Sequence, residues 1–351
     1  MKKILITGNM GYLGPVIVGK LRDTFPSAEL IGFDTGFFAH NITNTVLIPE
    51  CKLDAQYFGD VRDFPVGLLY GVDAVVHLAA ISNDPMGNNF EEVTMQINYE
   101  ASVSIAKAAK TAGVKSFIFA SSCSVYGFAE SGARKESDQL NPLTAYAKSK
   151  IYTEEAINKL ATTSFLVTAL RFATACGMSE RVRLDLVVND FVAGAVLNNE
   201  IDILSDGSPW RPLIDVKDMA LAVEWAINRN KQCGGSFLAV NIGSYEWNYR
   251  VRDLAEAVAR HIPNTNVNLR NNVQPDMRSY KVDFSLFKEL APGYQPRVTI
   301  EQTILELNSG LLSMNFKEKD FRTSSLMRLK ALMQHINDDR LDNNLRWKTR
   351  N

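Results

Sequence analysis

Apolar residues in the first half of the chain fall into short unbroken runs separated by segments with helical spacing. Lys3–Thr7 (KILIT), Glu29–Asp34 (ELIGFD), Ala74–Ala80 (AVVHLAA) and Ser116–Ser121 (SFIFAS) are such runs, as a strand covered on both faces requires. Pro15–Thr24 and Phe90–Ala112 read as helices, the second stopped by Gly113. Strand and helix in steady alternation predict an α/β fold, a parallel sheet with helices on both faces and right-handed connections. After Gly177 the pattern loosens. Leu186–Asn198 reads as a helix and Arg211–Val216 as extended; Met219, Val223, Ala226 and Ile227 form one helical stripe, Phe237–Ile242 is again a buried-strand run, and Leu254, Val258 and Ile262 mark another helix. The chain therefore divides into a sheet domain, 1–177 with about 212–244, and a smaller mixed α/β domain, about 178–211 and 245–315. Residues 316–351 form a C-terminal extension expected to pack on the second domain or on a neighbour. Leu326, Leu329, Met333 and Ile336 predict an amphipathic helix in it, and the polar stretch 337–351 reads as a loosely held tail.

Composition narrows the classes of function. The 351 residues, 46% hydrophobic and 22% charged, suffice for a sizeable core. A formal net charge of -1 gives no electrostatic case for nucleic acid or an acidic membrane as the main partner. No apolar run approaches the roughly 18 residues that span a bilayer, and the run after the N-terminal lysines is too short for a signal peptide. Cys51, Cys123, Cys176 and Cys233 are far apart with no CxxC pair, so no metal site or disulfide framework is expected, and a cytoplasmic location is.

Gly8, Gly11 and Gly14 stand directly after the first strand and at the start of the first helix. Small residues there let the backbone approach a pyrophosphate, whose charge is met by amide N–H groups and the helix N-terminus. Asp34 ends the second strand, twenty residues after Gly14. A carboxylate there accepts hydrogen bonds from both ribose hydroxyls and repels a 2′-phosphate, which favours NAD over NADP. Asp60 and Val61 follow a predicted third strand; Asp60 reads equally as an adenine contact and as a turn cap.

Tyr146 and Lys150 are four apart on a predicted helix, hence on one face. A tyrosine with a pKa near 10 is a poor base at neutral pH; a nearby ammonium, with a positive nicotinamide ring, is expected to lower it. The phenolate then takes a hydroxyl proton while hydride leaves the same carbon. Ser121 and Ser122 end the fifth strand, where ligands collect in open α/β sheets, and can hold the substrate oxygen.

With TGNMGYLG, GDVRD, HLAA, Asn98 of INYEAS, SSCSVYG, YAKSK, LRFATACG and DGSPWRPLIDVKD, the chain resembles, from Met1 to about Ile304, the nucleotide-sugar epimerase/dehydratase branch of the extended short-chain dehydrogenase/reductases. The resemblance implies a Rossmann-type doubly wound sheet, NAD as cofactor, a nucleotide-diphosphate sugar as substrate, and a homodimer or higher homo-oligomer formed through the helices around Phe90–Ala112 and Tyr146–Leu160. It makes Ser122 the catalytic hydroxyl, Tyr146 the acid/base and Lys150 its activator. Gly8, Gly11, Tyr12, Leu13, Gly14, Asp34, Asp60, Val61, Leu78, Ala79, Ala80, Asn98, Ser121 and Phe172 fall on its cofactor side. Asn98 matches the family's structural asparagine, and His77 reads as a packed strand histidine.

Arg211 and Arg278 match the family's phosphate arginines, and Thr174 stands where many members have an asparagine. Arg183 and Asn189 lie in the segment that covers the nucleotide; they read equally as ligand contacts and as a solvated helix start. Dehydratases and decarboxylases of the family place a carboxylate just after the catalytic hydroxyl. Here Cys123 and Ser124 stand there, which disfavours that chemistry. The reading is a 4-epimerase acting by transient C4 oxidation and hydride return. The alternatives are a 4-dehydrogenase or 4-ketosugar reductase with the same residues and, from another class, a non-catalytic NAD-binding regulator.

Overall fold

Seven parallel strands form the centre of the molecule: β1 (Lys3–Thr7), β2 (Glu29–Asp34), β3 (Ala55–Phe58), β4 (Ala74–His77), β5 (Ser116–Ser122), β6 (Leu166–Phe172) and β7 (Phe237–Ile242). They lie in the order β7-β6-β5-β4-β1-β2-β3, and every pairing is parallel. The computed structural model describes residues 2–128, 132–269 and 279–348.

Alternation along each strand splits the core in two. Ile4 and Ile6 of β1 pack with Val76, Ile118 and Leu170 on one face, while Leu5 packs with Val75, Phe117 and Val167 on the other. Both faces are sealed by helices, so the doubly wound α/β class expected from the sequence is the observed one. Helix α1 (Gly14–Thr24) lies on the first face; helix α2 (Ala145–Asn158) carries the Tyr–Lys pair. A third cluster is built from the helices Val187–Asn198, Val251–His261 and Ile300–Ser313, with Phe321 and Leu326. Strand Trp210–Asp215 joins it to the sheet, lying between Thr174–Cys176 and Asn248–Arg250.

Two expectations need correction. The segment read as one helix over Phe90–Ala112 is two helices, Glu91–Met95 and Ser102–Thr111, joined by a π turn over Gln96–Ala101. Thr153 of α2 donates to the Asn98 carbonyl in that turn, and such turns concentrate at functional sites. The C-terminal tail is also not loose. Beyond helix α3 (Arg328–Asn337), Leu341 and Leu345 are buried in the same cluster as Phe37 and Val61. Burying each contributes about 2 kcal/mol. The extension thus packs on the third cluster through Phe321 and Leu326, and also on the large sheet near the carboxyl ends of β2 and β3. Among the described residues no helix is long and apolar enough to cross a membrane.

Candidate active site

Open α/β sheets collect ligands where the strand order reverses, here between β1 and β4. A cavity of about 820 Å³ opens at that point. The glycine loop forms one wall. Gly8 has φ +75°, and a Cβ there would meet the Ala79 nitrogen at 2.5 Å; at Gly14 it would meet the Asn9 carbonyl at 1.9 Å. At Gly11 the close neighbour is the Gly8 carbonyl, 3.2 Å away. Gly14 thus shapes the turn from behind and does not line the cavity, whereas Gly8, Gly11, Tyr12 and Leu13 do. No side chain caps α1 and no acidic residue sits in its first turn, so its amides are left for an anion. The Tyr12 hydroxyl donates to the Gly177 carbonyl (2.6 Å), away from that anion.

Asp34, at the carboxyl end of β2, accepts one backbone N–H on each oxygen, from Met10 (2.9 Å) and Gly36 (2.7 Å). An ionised carboxylate offers about four acceptor positions, so two remain for ribose hydroxyls. Burial raises its pKa against the pull of those amides. A cradle that a Cβ would fill, an uncapped helix start and this carboxylate together fit a dinucleotide. Leu78, Ala79 and Ala80 continue the wall after β4. Asp60 and Val61 line it too, with Asp60 engaged in the capping role: it accepts from the Arg62 amide (2.8 Å) and forks onto its guanidinium. Burial opposes ionisation of Asp60, but the Arg62 bonds outweigh it and its pKa is lowered.

At the other end, Thr144 caps α2 and aims Tyr146 and Lys150 into the cavity. Ser122, at the end of β5, accepts from the Ser124 amide, and its hydroxyl shares the cavity wall with Tyr146, whose pKa it lowers. The Lys150 ammonium, fully buried, donates to the Ala120 carbonyl at 2.7 Å. In the protein alone, without the charge of a nicotinamide ring, the Tyr146 pKa is raised. Burial pushes Tyr146 up to about 12, Ser122 opposing and Asp84 adding to the rise. Burial pulls Lys150 down to about 7, against Glu154. Ser121 is committed elsewhere: its hydroxyl donates to Glu154 (2.5 Å), which is paired with Arg171 (2.7 Å). His77, fixed by Thr7 and Ser102 at 2.7 Å each, is held neutral by burial, its pKa about 3. Cys123 gives its thiol to the Arg171 carbonyl, and burial pushes its pKa far up, so it offers no base.

The remaining predicted residues divide. Phe172, Thr174, Arg183 and Arg211 line the cavity. Arg183 forks onto Asp185 (2.6 and 2.9 Å) and donates to Ser82 (3.0 Å). Asn98 and Asn189, predicted as cofactor and substrate contacts, are not in the wall. Asn98 braces the loop after β4, accepting from the Ile81 amide and donating to its carbonyl and to Ser149. Asn189 accepts from the Gly177 amide and donates to Tyr12 and to the Arg183 carbonyl. Both are fully buried, with both ends of the amide in use. Arg278 lies outside the described residues. Sequence reasoning missed Asp84, Asp185 and Arg328, all in the wall; Asp84 had a signal, Asn83-Asp84-Pro85, a helix start where Asn83 caps.

The model of the NAD dependent epimerase/dehydratase family matches residues 4–243. The chain is 28% identical over 253 residues to an uncharacterized UDP-glucose epimerase of Bacillus subtilis (strain 168), covering 70% of this chain and 77% of that protein. It is 26% identical over 276 residues to a UDP-glucose 4-epimerase of Streptomyces lividans, covering 74% and 80%. Among solved structures it resembles the UDP-N-acetylglucosamine 4-epimerase from Methanobrevibacter ruminantium M1, in complex with UDP-N-acetylmuramic acid. The TM-score is 0.75 at 22% identity, over 89% and 98% of the two chains, a likeness of fold.

Proposed function

The chain belongs to the NAD-dependent epimerase/dehydratase family, an enzyme family with NAD as cofactor, and from that premise we propose that it is a nucleotide-sugar 4-epimerase. The observation that carries the reading is the Ser122–Tyr146 hydroxyl pair beside Lys150, at one end of a cavity whose other end is the glycine loop and Asp34. The two positions after Ser122 hold no carboxylate. Proton abstraction from carbon, which dehydration needs, therefore has no base there, whereas C4 epimerisation needs only hydroxyl proton transfer.

Ser122 holds the substrate oxygen. Tyr146 accepts the hydroxyl proton as the oxygen becomes a ketone, keeps it one hydrogen bond away, and returns it after the sugar has turned over. When bound, NAD supplies the hydride acceptor, and its oxidised ring brings the positive charge that Tyr146 lacks in the protein alone. Lys150, its carbonyl bond fixing it below the phenol ring, holds the second charge. Gly8, Gly11, Leu13, Asp34, Asp60, Val61, Leu78, Ala79, Ala80 and Phe172 are assigned to the cofactor; Thr174, Arg183 and Arg211 to the nucleotide sugar. Arg211 is the diphosphate contact, because a guanidinium can bond two phosphate oxygens at once. A soluble cytoplasmic homodimer through the helix faces that carry Tyr99 and the half-exposed Tyr152 completes the reading; these rings meet edge to face at 5.9 Å, and all four cysteines are free thiols. Turnover of nucleotide sugars by wild-type protein, and its loss in Tyr146→Phe with binding intact, tests the assignment.

A further inference from the structure

Arg181, Arg183 and Arg328 lie together at the cavity, Arg183 and Arg328 in its wall, and two of the three are spoken for. Arg181 forks onto Glu50 at 2.7 and 3.1 Å, and Arg183 onto Asp185. The third, Arg328, comes from the C-terminal extension, beyond the residues the family model matches. It is 1% exposed and lines the cavity. Its Nη2 donates to the Arg181 carbonyl at 2.7 Å, and its guanidinium lies 4.4 Å from the centre of the Phe38 ring. Among the described residues it has no ion-pair partner, and its Nη1 has no hydrogen-bond partner. Burial, with Arg183 next to it, lowers its pKa to about 9. A buried guanidinium left this way is costly unless an anion joins it. Its place is informative: Phe38 follows the ribose acid Asp34 by four residues, and both Phe38 and Arg328 line the cavity that Gly8, Gly11 and Leu13 of the glycine loop also line.

We propose that Arg328 is a direct contact to the diphosphate of the bound dinucleotide, and that the extension carrying it is a clasp that retains NAD between turnovers. The segment is stitched to the adenosine end. His335 Nε2 donates to the Phe37 carbonyl at 3.0 Å, Trp347 Nε1 to the Thr35 carbonyl at 2.6 Å, and Arg62 Nη1 to the Asn344 carbonyl at 2.9 Å. Trp347 also packs on Phe37 and His335. Each stitch lies within a few residues of Asp34 or Asp60, so NAD leaves only when the clasp opens. This deepens the proposed function, since an epimerase that returns its hydride has no need to exchange cofactor.

The test is binding rather than turnover. Titration calorimetry with ADP and with adenosine gives the preference of the stripped protein for the diphosphate. In Arg328→Gln that preference falls about tenfold, the loss of one charge-assisted contact, and pre-loaded NAD dissociates at least tenfold faster. Trp347→Ala speeds NAD release and leaves the ADP-to-adenosine ratio alone. Equal weakening of ADP and adenosine in Arg328→Gln would make Arg328 a wall residue only and overturn the proposal. Hydrogen exchange of wild-type peptides over 326–347 needs no variant and covers the case of a poorly folding Arg328→Gln. Exchange slows when ADP is added; unchanged exchange overturns the clasp. Normal NAD retention without epimerisation of any sugar would instead count against the 4-epimerase reading and leave this one standing.

Discussion

The Lys150 ammonium lies 5.4 Å from the centre of the Tyr146 ring, one helical turn away, with the Phe119 ring 4.8 Å from it. It stays there with a carbonyl, not a carboxylate, as its bonded partner. That arrangement holds an ammonium at a cost, which is why burial brings its pKa down to about 7.

A stability profile follows. In the NAD-free protein the folded state binds Lys150's proton less tightly than the unfolded state, whose value is near the ordinary 10.5. Between pH 7 and 10.5 the unfolded chain thus carries more protons, and stability rises with pH. Below pH 7 the penalty is fully present. The melting temperature of wild-type apoprotein therefore climbs from pH 7 to 8.5, and Lys150→Met flattens the climb. A parallel rise in both proteins would show that another group is responsible.

Tyr146→Phe removes the only atom assigned to proton transfer and little else. Turnover falls about a thousandfold, in the range of general acid–base contributions. Affinity for NAD and for the nucleotide sugar, measured by calorimetry, stays within a few fold. Loss of both affinities would mean that the hydroxyl binds rather than transfers.

The three loop glycines are not equivalent. Gly8→Ala meets both a left-handed φ and the Ala79 backbone, and Gly14→Ala meets the Asn9 carbonyl; both lower the melting temperature. Gly11→Ala meets the Gly8 carbonyl at 3.2 Å, so it folds and loses at least about tenfold in NAD affinity, a 1.4 kcal/mol change. Calorimetry of Gly11→Ala with NAD, alongside its thermal melt, separates the two effects.

Glu154→Gln leaves Arg171 buried without its counter-charge; the two side chains are 5% and 6% exposed. Breaking such a pair from one side costs about 3–5 kcal/mol. Denaturant unfolding should show a loss of that size. A change under 1 kcal/mol would mean that solvent reaches the pair.

Much of this was legible in the sequence. β1, β2 and β7 are continuous apolar runs because both faces are covered, and the structure gives them the bounds read from the sequence. β6 is less visible, since Thr168 and Arg171 interrupt its run; both are buried and satisfied internally, by Arg229 and by Glu154. Asn98 and Asn189 show the limit of motif reading. A polar residue at a motif position looks the same whether it faces a ligand or the protein: the structural role given to Asn98 by resemblance is the one seen, while for Asn189 the fold is needed to show both ends of its amide spent inside the protein. The tail was misread from its polar composition, although Leu341, Leu345 and Trp347 are enough to anchor it.

The most direct test of the central claim is proton NMR of a nucleotide-sugar panel incubated with trace protein and no added cofactor. The account predicts a C4 stereoisomer accumulating over many turnovers, with NAD carried on the protein. A ketosugar formed in proportion to added NAD, with no epimer, would contradict it and assign the chain to one-way dehydrogenation or reduction.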